Sequence, residues 1–422
     1  MTEEFLHYLW EYRLIDSEIK TISGEPVIIL HPGQHNRNGG PDFINSRIRI
    51  GGMLWAGNVE IHVQQGDWFR HKHHLDPVYE HIILHVVYSN DEPPDEKLPE
   101  TFPTTIIKDH FPESIYHKYT DLLENIKWIP CQSTIGNIEP FCFEQWSTAL
   151  IVERLVQRSE ELKKLWMMNQ FDWEETFYQG LAQSFGITLN TLPFELLSKA
   201  LPTKILLKYI QQPFQIEALV FGQAGMLNRA FTDDYSCSLK KEYDFLSAKH
   251  GLIPIEASLW KFLRIRPPGF PTIRLAQWAV LLKQCNTLFS ELIECKKREE
   301  LMKIFSVQAS AYWDIHYLFE KRSPGKPKIF GESAIHLLII NFVAPFLFFY
   351  GEEMRNDDFK ERSISFLEQL PGEKNTITGK WKNLGLPVDN ALKTQALLQL
   401  KKHYCDDKKC LECRIGRKIL TI

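Results

Sequence analysis

Apolar residues recur at helical spacing through Phe5, Leu6, Tyr8, Leu9, Trp10 and Leu14, which predicts a short opening helix. The period then changes. Val27 to Leu30 is a compact apolar run, and Phe43 to Ile50 places Ile44, Ile48 and Ile50 on one face and Asn45, Arg47 and Arg49 on the other. Gly51-Gly52 is a two-residue hairpin signal, Val59 to Val63 alternates again, and His81 to Tyr88 is apolar enough for a central strand. Asp91 to Thr101, rich in Pro, Glu and Asp, predicts a loop. From about Pro140 the period is 3.6. Phe143–Leu165, Ile205–Gln211, Leu275–Phe289, Glu299–Ile304, Ala334–Phe349 and Ala391–Tyr404 all carry helical apolar spacing. The expected fold is mixed α+β: residues 1–130 form a small mixed sheet with a flanking helix, and residues 131–422 form a large, mostly α-helical domain.

Composition narrows the class without naming it. The chain has 422 residues, 44% hydrophobic and 24% charged, and a net charge of -4. That is a globular balance with no global basic field, so any nucleic-acid binding must use a local patch. The opening Met1-Thr2-Glu3-Glu4 lacks the basic and apolar segments of a signal peptide. Leu337 to Tyr350 is interrupted by Asn341 and Pro345 and is too short to span a bilayer, so a buried helix is expected and no membrane. Eight scattered cysteines do not form a secreted disulfide framework and predict a cytoplasmic protein.

Candidate chemistry concentrates on the hairpin. Seventeen residues separate Asp42, in Gly40-Pro41-Asp42-Phe43, from Glu60, in Val59-Glu60-Ile61-His62. Paired carboxylates on adjacent strands are a common way to hold Mg²⁺ or Mn²⁺. With Gly51-Gly52 as the turn, however, Asp42 falls opposite Ile61, and strict alternation puts Asp42 and Glu60 on opposite faces. A bulge, at Gly57, or a bend at Pro41 must re-aim one of them. Eight of the fifteen histidines (His31, His35, His62, His71, His73, His74, His81, His85) fall within 55 residues around this pair. Trp68 to His74 also mixes cations with aromatics, a composition that grips phosphate and stacks bases.

Pro41-Asp42, a hairpin, then Glu60-Ile61-His62 resembles the PD-(D/E)XK nuclease superfamily, with His62 where that family has lysine. The resemblance implies a nuclease hydrolysing phosphodiester bonds in nucleic acid. Asp42 and Glu60 would bind the metal, and His62 would orient or deprotonate water. His71, His73 and His74, with Arg264, Arg266 and Arg274 around the stiff Pro267-Pro268-Gly269-Phe270-Pro271 turn, would hold phosphates. Two alternatives follow from the same residues: an inactive nuclease-like binding or scaffold protein, or a metal hydrolase acting on a small phosphorylated substrate. Over a longer span the chain looks like a family of uncharacterised bacterial proteins, chiefly of Bacteroidetes. That resemblance rests on Gly57 to His62, Asp67-Trp68, Ile83 to Val87, Phe221 to Gly225 and Arg266 to Gln277.

The tail carries a second pattern, Cys405-x4-Cys410-x2-Cys413. A Cys-x2-Cys step turns two thiolates onto one metal, and Cys131, or else His403, is a candidate fourth ligand. One early cysteine and three late ones are similar to the iron–sulfur staple of some nucleases of the same superfamily, which implies a [4Fe–4S] cluster. Zn²⁺ is the other expected occupant.

Overall fold

The computed structural model describes residues 1–90, 102–187 and 189–422; the loop expected at Asp91–Thr101 lies outside the described residues. The chain divides into two compact units, Met1–Phe143 with Lys401–Ile422, and Glu144–Leu400. The expected break at 130/131 therefore moves downstream, and the C-terminal tail belongs with the first unit.

In that unit Thr2 caps α1 (Glu3–Glu11), accepting a hydrogen bond from the Phe5 amide. The helix stops short of Leu14 because Arg13 turns left-handed (φ 52°), letting the Leu14 amide reach back to the Leu9 carbonyl. The sheet comprises β1 (Val27–His31), β2 (Gln34–His35), β3 (Phe43–Ile50), β4 (Met53–Gln64), β5 (Ile82–Ser89) and β6 (Thr104–Ile106). Its order is β1-β3-β4-β5-β6, with β2 pairing β3. β1, β3 and β4 run antiparallel, whereas β5 joins β4, and β6 joins β5, in parallel. Gly51 (φ 56°) and Gly52 (φ 96°) form the expected hairpin turn, where both central residues need positive φ. Val59 to Ile61 and Ile82 to Val87 are buried throughout, as strands covered on both faces must be. The crossover from β4 to β5 contains α2 (Asp67–Arg70), and α3 (Glu113–Glu124) follows β6.

The second unit is helical. Its core gathers Leu181, Phe185, Phe194, Leu219, Trp278, Trp313 and Phe346, all essentially inaccessible to solvent. The expected helix at Leu275–Phe289 is two, Pro271–Leu281 and Leu288–Glu294, broken by a turn at Leu282–Gln284. The apolar run expected as a buried helix lies within Glu332–Glu353. This stretch is long and apolar enough to cross a membrane, and 78% of its apolar window is buried in the protein.

Candidate metal centre on the sheet

The register of the hairpin decides where the two carboxylates point. From the turn outward the pairs run Ile50–Met53 to Ser46–Gly57, but the next pair is Phe43–Val59. Ile44 and Asn45 together face Asn58, a bulge with Asn45 in the left-handed region (φ 58°). Beyond it every β3 residue has changed faces. Asp42 comes opposite Glu60 instead of Ile61, and its amide donates to Glu60 Oε2 at 3.1 Å. Asp42 Oδ2 accepts from the Ile61 amide at 2.9 Å. What re-aims Asp42 toward Glu60 is a bulge at Asn45, neither one at Gly57 nor a bend at Pro41. Gly57 has a separate reason: a Cβ there would lie 2.4 Å from Ile83 Cγ2, where β5 carries its own irregularity.

On the face shared by Glu60, β4 adds His62 two residues along, and β5 adds His85, paired with Glu60. The crossover then folds over this face and delivers His71 and His73. His71 Nδ1 and His73 Nε2 lie 3.2 and 3.3 Å from His62 Nε2. Glu60 Oε1 is 3.2 Å from His73 Nε2 and 3.7 Å from His62 Nε2. Among the described residues, His62, His71 and His73 are the set whose ligand atoms all lie within 4.8 Å of one another. Donors bound at ~2.05 Å to one tetrahedral ion stand ~3.3 Å apart. The two contacts of His62 Nε2 already have that spacing.

Its electrostatics favour lone pairs aimed inward. Burial, reinforced by His85, His73 and His71, holds the His62 ring far below the usual histidine range, hence neutral. Burial likewise pushes His85 down to about 3. His62 Nδ1 is 2.8 Å from His85 Nε2, and in the tautomer in which His62 Nδ1 donates, its Nε2 lone pair faces His71 and His73. Burial raises the Glu60 carboxyl, Asp42 adds to the rise, and His73 opposes it. A cation among these groups would relieve both the desolvation and the repulsion.

Two residues of this neighbourhood were not singled out from the sequence as part of a site. His7, on α1, places Nε2 3.2 Å from Asp42 Oδ2; burial disfavours its charge, but Asp42 together with Glu3 and Glu60 outweighs that and raises its pKa. Glu3, one turn earlier, is raised chiefly by burial and senses His71, Asp42 and His7. Their i, i+4 spacing was visible, but their place beside the hairpin was not. His85 had been noted only as one of many histidines.

The other expected substrate groups have varied fates. His74 is exposed and packs its ring 5.1 Å from Phe69, apart from the cluster. Trp68 is buried against His73, His85 and Phe102, a wall of the site and no stacking platform. Arg264, Arg266 and Arg274 belong to the helical unit. Arg264 and Arg266 are exposed there, while Arg274 bonds Gln277 at 3.0 Å and covers the Phe330 ring. Burial lowers its pKa to about 10.

A family model described as "Protein of unknown function (DUF2851)" matches residues 3–376, nearly the whole chain. No curated protein and no solved structure matches it.

Proposed function

We propose that this chain, which belongs to the DUF2851 family of proteins of unknown function, is a metal-dependent phosphodiesterase acting on nucleic acid. The observation that carries the reading is the gathering of the His62, His71 and His73 ligand atoms within 4.8 Å of one another, with Glu60 Oε1 3.2 Å from His73 and a second carboxylate, Asp42, beside it. Three imidazoles suit Zn²⁺ or Mn²⁺ better than the oxygen-seeking Mg²⁺, so of the two ions expected from the carboxylates Mn²⁺ is retained and Zn²⁺ added. His62, His71, His73 and Glu60 would hold the ion, which supplies charge for a phosphoryl oxygen and lowers the pKa of bound water.

This assignment moves His71 and His73 from the substrate to the metal, and turns His62 from water-activating base into ligand. A ring 1% exposed, engaged through Nδ1 with His85, has no room to work as a free base. Asp42 takes that role. It sits across from Glu60, and the neighbouring His7 is biased toward its charged form, ready to accompany an anionic substrate. The exposed Arg70, Lys72 and His74 form a basic rim on the same crossover, suited to the phosphates of a polymer. The resemblance of Pro41-Asp42 and Glu60-x-His62 to the PD-(D/E)XK pattern agrees with this chemistry.

Incubation of plasmid and single-stranded DNA with protein and Mn²⁺ or Zn²⁺ tests it. Cleavage should appear, vanish with EDTA, and be lost in Asp42→Asn. Equal cleavage by Asp42→Asn overturns the assignment. Hydrolysis of bis(p-nitrophenyl) phosphate with nucleic acid left intact replaces it by a small-substrate hydrolase, and DNA binding without hydrolysis by a scaffold.

A further inference from the structure

The first unit contains a second gathering of metal-ligand side chains, unconnected to the histidines in sequence. Cys131 follows Pro130 at the start of a tight turn, its carbonyl accepting from the amides of Thr134 and Ile135. Asn125 fixes the approach to it, donating to the Pro130 carbonyl at 2.7 Å. The other three cysteines arrive from residues 405–413. The chain there closes on itself: the Lys409 amide bonds the Tyr404 carbonyl, and the Cys413 amide bonds the Lys409 carbonyl. Lys408 adopts φ 54° and bonds the Leu123 carbonyl with its ammonium, while Lys401 lies over the Trp128 ring. These contacts seat the tail on the segment that leads to Cys131.

The four sulfurs become neighbours as a result. Cys405 senses Cys413, Cys131 and Cys410, Cys131 senses Cys413 and Cys410, and Cys410 senses Cys413. Cys131, Cys410 and Cys413 are each under 10% exposed, and none of the four is in a disulfide. Apolar packing does not account for the arrangement. The tail segment around these thiols is lysine- and aspartate-rich and largely made of turns. Gly416 also matters: a Cβ there would lie 2.2 Å from the Cys410 carbonyl oxygen, so the final helix, Arg414–Thr421, is pressed against the loop that carries Cys410.

Spacing distinguishes the possible occupants. Four thiolates on one zinc stand ~3.7 Å apart. On a cubane each thiolate binds its own iron, and the sulfurs stand wider, ~6 Å apart. Among the described residues, no three of these sulfurs form a set within 4.8 Å, whereas the three histidines do. Four thiols that sense one another without forming such a close set fit the larger group.

We propose that Cys131, Cys405, Cys410 and Cys413 ligate a [4Fe–4S] cluster that fastens the C-terminal tail to the sheet unit. This is independent of the proposed hydrolysis and stands or falls separately. Full-length protein purified without oxygen should contain about four irons and four acid-labile sulfides per chain, with broad visible absorption that bleaches on adding dithionite. Cys405→Ser and Cys410→Ser should lose the sulfide. Cys237→Ser, an exposed thiol elsewhere, and His73→Ala should keep it. Stripping the iron from the wild-type protein should speed tryptic cleavage at Lys408 and Lys409 by about tenfold or more. Iron without sulfide, or zinc that Cys405→Ser removes and His73→Ala retains, overturns the cluster. Protein lacking both sulfide and cysteine-dependent metal overturns the site, and these wild-type measurements decide even if the cysteine variants fail to fold.

Discussion

Two glutamates are buried among the described residues, Glu60 on the sheet at 4% exposure and Glu217 in the helical unit at 6%. Burial raises the pKa of both. Their surroundings differ in kind. Glu217 Oε1 accepts from Ser310 Oγ at 2.9 Å and Trp313 Nε1 at 2.8 Å, and the Tyr235 hydroxyl adds a further bond. Those donors are neutral, so the carboxyl is satisfied whether or not anything else binds. Glu60 has a second carboxylate across from it and imidazole nitrogens in front of it, several with lone pairs of their own. Such a set leaves competing acceptors that the proposed cation would satisfy. A buried acid among neutral donors belongs to the architecture, whereas one among competing acceptors is a candidate for a site.

Substitution should separate the two most sharply at Glu60. Glu60→Gln keeps the shape and removes a charge that repels Asp42, so the metal-free fold should be at least as stable. Metal-dependent hydrolysis should fall by about 10³-fold, ~4 kcal/mol of transition-state stabilisation. Metal-free melting temperatures and cleavage rates measured side by side would break the contrast if Glu60→Gln melted lower and cut normally.

Glu217 should behave the other way. Glu217→Ala strands Ser310 and Trp313 in the core and should cost ~3 kcal/mol, read as a lower denaturant midpoint, whereas Glu217→Gln should lie within ~1 kcal/mol of wild type. A mild Glu217→Ala would mean that the network is not a structural anchor.

The same pair shows how far the sequence could be read. Asp42 and Glu60 were found from Pro-Asp and Glu-x-His spacing, and the Gly51-Gly52 turn fixed the pairing near the hairpin end. Alternation then set the two acids on opposite faces, because Asn45 looks like any exposed polar position and nothing in its identity announces φ 58°. His7 was hidden inside an apolar helix, its partner Asp42 thirty-five residues on. His85 sat in an apolar strand, and only the parallel pairing of β4 and β5 brings it to His62. In the helical unit, Pro213–Gln223 went unread because it is apolar on every side and so has no stripe to detect. Glu217 lies in that helix, and its partners Ser310 and Trp313 are more than ninety residues away.

Acid titration sharpens the comparison at lower amplitude. The Glu217 carboxyl is raised above its ordinary 4.5 by burial, with Tyr235, Trp313, Ser310 and Lys283 opposing. A folded-state pKa above the unfolded one means that the unfolded chain loses its proton first as pH rises. The contribution to stability is therefore complete below pH 4.5 and is lost as pH climbs through the folded value. Over that window wild type should lose up to ~1.4 kcal/mol per pH unit relative to Glu217→Gln. Parallel stability profiles for the two proteins would remove Glu217 as the source.

The smallest expected effect on stability tests the device that brings Asp42 opposite Glu60. Asn45 is exposed, and its left-handed backbone supplies the extra residue that turns Asp42 toward Glu60. Asparagine tolerates this conformation and glycine accepts it freely, but a β-branched residue meets its own carbonyl there. Asn45→Gly should be close to neutral. Asn45→Val should cost ~1 kcal/mol by chemical denaturation, a change too small to unfold the sheet. Removing Asn45 altogether is different: without the extra residue the strand resumes strict alternation, and Asp42 returns to the face of Ile61. Hydrolysis should therefore persist in Asn45→Gly, fall modestly in Asn45→Val, and disappear in the deletion even where the protein remains folded. A folded deletion variant that still cleaved would show that Asp42 need not face Glu60, and the contrast between the two glutamates would then rest on the histidines alone.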